Sequence, residues 1–179
     1  MSIIEKAMQL ALEAHEGQTR KDSDTPYITH PVAVALLVAR YGFSETVIAS
    51  ALVHDVLEDT DVTYERLAAE LGESIAHMVL SLTHNNALPW EEKKLGYIRL
   101  VEEATDEVKA ISTADKIINA QSLLEAYAKN GQKVWSYFNA SREKKLWFEE
   151  AMLLMLQQSW KHELVLLYAE QVEKLRKLV

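Results

Sequence analysis

Apolar residues recur every three or four positions along almost the whole chain, the spacing that buries one face of an α-helix. The pattern predicts a first helix from about Ser2 to His15, ended at Gly17, followed by a polar loop from Gln18 to Thr29. Pro31 suits a first helical position, with Thr29 or His30 as the cap, and this second helix runs to about Tyr41, where Gly42 breaks it. Ser44 can cap a third helix that reaches Leu57 or a little beyond. Thr63 opens a short helix ending near Gly72, and another spans Glu73 to about His84. A loop covers Asn85 to Leu88 before Pro89 restarts the helical pattern. A long helix follows from about Asp106 to Lys129, closed by Asn130-Gly131, and two more fill the C-terminal part with a break near Ala140-Ser141. No repeat, low-complexity stretch or linker divides the sequence. The expectation is an all-α protein, one domain over residues 1–179 built as a multi-helix bundle.

Several polar residues stand where that pattern expects core. The third helix reads Ile48-Ala-Ser-Ala-Leu-Val-His54-Asp55-Val-Leu-Glu58-Asp59. On a helix, His54, Asp55 and Glu58 lie close to one face, and Ala51 on the same face is small enough to admit a ligand. Desolvating Asp55 alone is costly, and a metal ion is one thing that resolves the cost. The alternative is a packed core histidine beside an exposed aspartate, which is the commoner situation for a lone pair. Asp115 repeats the anomaly beside an apolar stripe at Val108, Ile111, Ala114 and Ile118, with Asn119 one turn further on. A surface aspartate paired to Lys116 or Lys109 accounts for it equally well. His30, just before Pro31, reads alone as a cap or a packed loop residue. His15, His77, His84 and His162 lack a partnering pattern and read as structural or surface residues. Taken together, two imidazoles and two carboxylates make a mixed nitrogen and oxygen site. It suits Mn, Fe, Co, Ni or Zn rather than Ca or Mg. Positions left free in an octahedral shell could take water and a phosphate oxygen, lowering the pKa of the water and polarising phosphorus.

Composition narrows the setting. Ala, Leu, Glu and Lys dominate, and five glycines and three prolines signal few turns. With no cysteine, disulfides and thiolate metal sites are excluded, and a reducing compartment is compatible. The N-terminus lacks the apolar core of a signal peptide and no stretch approaches a membrane span, so a cytoplasmic protein without a membrane partner is expected. A net charge of −8 argues against non-specific nucleic-acid binding. It permits a small phosphorylated ligand, which needs only a local cationic patch or a metal. The sequence leaves the oligomeric state open.

The ordered set His…His-Asp…Asp resembles the signature of the HD-domain phosphohydrolase superfamily. Four segments narrow the resemblance: Ala14-His-Glu-Gly-Gln-Thr-Arg20-Lys21, Thr25-Pro-Tyr-Ile-Thr-His30-Pro, Ala51-Leu-Val-His54-Asp55-Val-Leu-Glu58-Asp59-Thr60 and Ala114-Asp115-Lys-Ile-Ile-Asn119. In this order they resemble the hydrolase domain of the RelA/SpoT family, which includes single-domain small alarmone hydrolases of the metazoan MESH type. The likeness covers roughly residues 1–125. It implies Mn²⁺ held by His30, His54, Asp55 and Asp115, and a Glu58-Asp59 pair that positions or deprotonates the attacking water. It also implies that Arg20 and Lys21 face substrate phosphates and that Asn119 and Tyr27 contact the nucleoside. The reaction implied is removal of the 3′-pyrophosphate of (p)ppGpp to give GDP or GTP. Two positions depart from the family's pattern, His84 and Gln121. They leave the metal residues untouched and bear on substrate choice. With no synthetase or regulatory domain following, a bifunctional full-length enzyme is not expected.

Two other functions compete with this one. An HD phosphatase could act on another nucleotide, such as a phosphorylated dinucleotide cofactor or a nucleoside monophosphate. A non-catalytic nucleotide-binding module is the third, and intact Glu58 and Asp59 argue against it, because a sensor needs no water-activating pair.

Overall fold

The structure, a computed structural model, describes residues 1–20, 24–83, 88–138 and 140–178. The described residues form α-helices with no named strand. They run as α1 (Ile3–Ala14), α2 (Thr29–Arg40), α3 (Glu45–Leu52), α4 (Val56–Asp59), α5 (Tyr64–Leu71), α6 (Glu73–Leu80), α7 (Trp90–Glu103), α8 (Asp106–Asn130), α9 (Arg142–Ser159) and α10 (Glu163–Arg176). A 3-10 segment, Gly131–Tyr137, joins α8 to the last two helices. The starts follow local chemistry. Ser2, Ser44, Thr63, Thr105 and Ser141 each accept a backbone N–H of the first turn, satisfying a donor that helix geometry leaves unpaired. Gly42 and Gly131 end their helices at φ +78° and +56°, a conformation side chains disfavour.

α8 is the spine. Every residue from Val108 to Ile117 is buried, polar ones included. One side of this stretch, through Val108, Ile111 and Ala114, joins a core built from α1, α2, α3, α5 and α6. The other, through Ala110 and Ile117, joins a core with Tyr97 and Val101 of α7, Phe148 and Met152 of α9, and Leu164 and Tyr168 of α10. Further along, Ala120, Leu123 and Ala126 pack with Val134 and Leu175. A helix buried on all sides cannot show a clean amphipathic stripe.

Two local expectations need correction. Neither Thr29 nor His30 caps α2. Thr29 is its first residue, and its hydroxyl turns back to the Pro26 carbonyl at 2.9 Å, so His30 and Pro31 lie within the first turn. The third helix is not continuous. It stops at Leu52, and Val53 N and Val56 N bond three residues back, to Ser50 and Val53, before α4 begins. The break expected near Ala140-Ser141 is present, between the 3-10 segment and α9, and a further one separates α9 from α10 at Trp160–His162. There His162 Nδ1 accepts the Leu164 N–H at 3.2 Å, and its ring stacks on Trp160 at 4.6 Å. His84 and the residues of the loop at 85–87 lie outside the described residues.

Leu164 is fully buried where α10 meets α8 and α9. Leu164→Ala is expected to destabilise the protein by about 2–5 kcal/mol, the usual cost of a buried cavity. Chemical denaturation followed by circular dichroism checks it. If the chain folds as one domain, the midpoint of a single transition moves.

Candidate metal centre

Two helices and one bend converge on a small polar cluster. His30 comes from the first turn of α2, and Asp115 from the buried middle of α8. His54 and Asp55 sit in the bend between α3 and α4. The bend has a local cause: His54 Nδ1 donates to the carbonyl of Ala51 at 2.8 Å, which fixes the ring and turns Nε2 inward. Nitrogen and oxygen atoms of His30, His54 and Asp115 all lie within 4.8 Å of one another. Asp115 Oδ1 is 3.0 Å from His30 Nε2 and 3.7 Å from His54 Nε2. Asp55 spans the same two rings, with Oδ1 3.2 Å from His54 Nε2 and Oδ2 3.6 Å from His30 Nε2.

The remaining lone pairs are held from outside. Asp115 accepts from Asn119 Nδ2 at 2.6 Å through Oδ1 and from Lys116 Nζ at 2.7 Å through Oδ2. Asp55 Oδ2 accepts the Tyr27 hydroxyl at 2.5 Å. Lys116 is itself buried, against the rings of Tyr97 and Phe148 at 5.1 and 5.6 Å. Burial would raise the Asp115 pKa, but Lys116, His30 and His54 outweigh it and hold the carboxyl well below its ordinary value. Burial would likewise lower His54, but Asp55 and Asp115 push it up to about 9. Burial and the neighbouring Asp55 raise the Tyr27 phenol, so it stays a donor.

The cluster fits a divalent metal. His54 Nε2 is buried without a hydrogen-bond partner among the described residues, although it faces two carboxylates. An ion there would satisfy it, and the Ala51 carbonyl already supplies the outer hydrogen bond that ligating histidines require. Two imidazoles and two carboxylates suit a transition ion of intermediate softness.

Beside the cluster opens a cleft of about 670 Å³. Arg20, Tyr27, Asp59 and Asn119 line it, joining the expected substrate residues to one member of the expected catalytic pair. Arg20 Nη2 donates to Asn119 Oδ1 at 3.2 Å, so the loop before α2 is tied to α8. A backbone pairing, Arg20 N to the Thr25 carbonyl and Tyr27 N to the Gln18 carbonyl, sets both side chains at the mouth. Lys21 lies outside the described residues. Glu58 and Asp59 sit on α4, the single turn after the bend, and Asp59 Oδ2 is 3.3 Å from the Tyr27 hydroxyl.

The sequence did not single out the rest of the cleft. Lys93, Lys94, Lys116, Arg142 and Lys145 line it, with Trp90, Trp135, Phe138 and Phe148 among the walls and, among the described residues, only Glu149 as a second acid beside Asp59. Burial, then the nearby Lys116 and Lys93, lower Lys94 to about 7. An acidic chain thus gathers basic side chains around one cavity, a surface that favours an anion. Scattered across three helices and the segment after α8, these residues carried no pattern that one sequence could show. Two other histidines keep structural roles: His77 meets the Tyr64 hydroxyl at 3.1 Å on the surface, and His162 caps α10.

A metal entering the cluster must displace the proton on His54. Apparent affinity should therefore rise by roughly tenfold per pH unit below about 9, with proton release on binding. Stability of the metal-free protein has the opposite sign. The His54 pKa stands above its ordinary 6.5, so the stabilisation is fully present below that value and is lost as pH rises through about 9. Calorimetric titration of the metal in buffers of different ionisation enthalpy, with thermal melts of the stripped protein across pH, checks both.

Comparison with known proteins gives concordant results. The family described as HD domain matches residues 7–144. Guanosine-3′,5′-bis(diphosphate) 3′-pyrophosphohydrolase MESH1 of Danio rerio is 32% identical over 142 residues, 76% of this chain and 79% of that protein. A solved structure of a metazoan ortholog of SpoT, described as hydrolysing ppGpp, superposes with a TM-score of 0.84 at 26% identity, covering 100% of this chain and 98% of that one. The crystal structure of lmo0812 from Listeria monocytogenes EGD-e has 33% identity and a TM-score of 0.77, over 83% of this chain and 99% of that one.

Proposed function

The chain belongs to the HD domain family, and within it we propose a metal-dependent phosphohydrolase that removes the 3′-pyrophosphate of (p)ppGpp, giving GDP or GTP. One observation carries the reading most directly: a His/Asp cluster lies beside a cleft that, among the described residues, is lined by six basic side chains and two acids in a chain of net charge −8. A nucleotide with two diphosphates is the kind of ligand that such a cleft attracts. The relatives named for this activity support the substrate.

The metal is Mn²⁺ in this reading, with His30, His54, Asp55 and Asp115 as its protein ligands; when bound, it polarises the phosphorus centre and acidifies a water. The chain's residues do the rest. Glu58 takes a proton from the attacking water while Asp59 orients it. The water oxygen joins the phosphorus attached at the 3′-position, the bond to the 3′-oxygen breaks, and that oxygen ends protonated on the nucleotide. Arg20, Lys93, Lys94 and Lys145, together with Lys21, neutralise phosphoryl charge. Asn119 and Tyr27 meet the nucleoside on the wall they already line.

Purified protein with Mn²⁺ should release pyrophosphate and GDP from ppGpp. Cleavage of another nucleotide with ppGpp left intact would move the chain to a different HD phosphatase activity. Glu58→Gln should keep its metal and lose about a hundredfold to ten-thousandfold in kcat, the range for a general base. Retained activity, or loss of the metal, would assign Glu58 differently.

Lys94→Met should raise KM for ppGpp by roughly tenfold or more, since one charge-assisted contact contributes about 1.5–3 kcal/mol. Hydrolysis of a small phosphoester should change far less. Equal losses on both substrates would remove Lys94 from phosphate recognition.

A further inference from the structure

His15 is buried to 4% exposure at the end of α1, a site where an apolar residue would pack at lower cost. Its Nε2 has no hydrogen-bond partner among the described residues, so its polarity is used through the other nitrogen. Nδ1 lies 2.8 Å from Gln18 Oε1. A carboxamide oxygen only accepts, so Nδ1 carries the proton, and the amide of Gln18 is turned with its nitrogen outward. That nitrogen donates to the backbone carbonyl of Asp59 at 3.0 Å. On its other flank, the His15 ring lies against Tyr27 with centroids 4.7 Å apart, and the Tyr27 hydroxyl reaches the carboxylates of Asp55 and Asp59 at 2.5 and 3.3 Å.

Both routes end on the same short element. α4 has four residues, too few to hold its own geometry, because a single turn recovers little of the entropy that it loses. Its start is pinned by buried Val56, while Asp59 at its end is exposed. We propose that His15 is a positioning residue for hydrolysis: through Gln18 and Tyr27 it clamps the turn that carries Glu58 and Asp59. The inference rests on the reading of those two as the water-activating pair. Gln18 holds the main chain at the end of the turn, and Tyr27 holds the Asp59 side chain. His15 sets both from outside the cleft and touches neither substrate nor metal.

The test compares kcat, KM, bound metal and melting temperature of His15→Ala, His15→Asn, Gln18→Ala and the double variant His15→Ala/Gln18→Ala, with ppGpp and Mn²⁺. Glu58→Gln is measured in parallel. His15→Ala and Gln18→Ala should lose roughly tenfold to a hundredfold in kcat, the scale of a small misplacement of reacting groups. KM and bound metal should stay within about twofold. His15→Asn, whose amide nitrogen can stand where Nδ1 stands, should recover most of the loss. The double variant should be no worse than the poorer single one, because both substitutions cut the same chain of contacts. Normal kcat in Gln18→Ala, an Asn variant no better than Ala, or a loss that tracks bound metal would each overturn the clamp. If Glu58→Gln is inactive while Gln18→Ala is normal, the clamp alone fails. Full turnover by Glu58→Gln removes the pair that the clamp is argued to serve, and both ideas fall.

Discussion

A carboxylate buried in the central helix organises this protein. Asp115 sits mid-way along α8, within a stretch buried on every side. Taking such a group out of water costs several kcal/mol unless charge and hydrogen bonds replace the solvent. The replacement here is distributed over the fold. Lys116 comes from α8 itself, Asn119 from its next turn, His30 from α2, and His54 from the bend after α3. Each partner must be brought to within hydrogen-bonding or ion-pairing reach, so the packing of α2 and α3 on α8 is tied to the satisfaction of one side chain. The same convergence leaves imidazole nitrogens facing carboxylate oxygens, an arrangement that a divalent ion completes.

The C-terminal helices belong to the same account. Lys116 can neutralise Asp115 only while its ammonium is itself buried against Tyr97 of α7 and Phe148 of α9. Glu149 faces it from α9, and Tyr168 of α10 donates to Glu149 at 2.5 Å. The helices past the matched family region therefore bear on the metal centre through one lysine, and they also wall the cleft. Six basic side chains among the described residues around that cavity explain how a chain of net charge −8 can offer a locally cationic surface. The charge is local, and a low-dielectric cleft strengthens it relative to the exposed acids elsewhere.

The sequence made some of this legible and hid the rest for physical reasons. His54, Asp55 and Asp115 could be picked out because each interrupts an apolar pattern, and interruption is what periodicity detects. Helix starts were legible where a Ser or Thr hydroxyl caps the first turn, as at Ser44, Thr63 and Ser141. Lys116 was not, because a lysine beside an aspartate looks like a surface pair, and only the rings of distant helices make it a core residue. Lys94 and Lys145 reach the cleft through tertiary packing alone. The bend at His54 was also hidden. Its residues suit a helix, and the break comes from the hydrogen bond between the imidazole and the Ala51 carbonyl.

That bend has a consequence for chemistry. Had α3 run on through Glu58, His54 and Glu58 would stand one turn apart on one face, and both would point at the same ion. The break separates their duties. His54 and Asp55 stay in the bend, beside Asp115. Glu58 and Asp59 move onto a turn of their own, and Asp59 lines the cleft where a phosphate would lie. In the proposed reading, one pair of carboxylates holds the ion and the other serves the water, and the kink sets the two pairs on different elements. The short turn after the kink is then held from outside, where the contacts from Gln18 and Tyr27 fall.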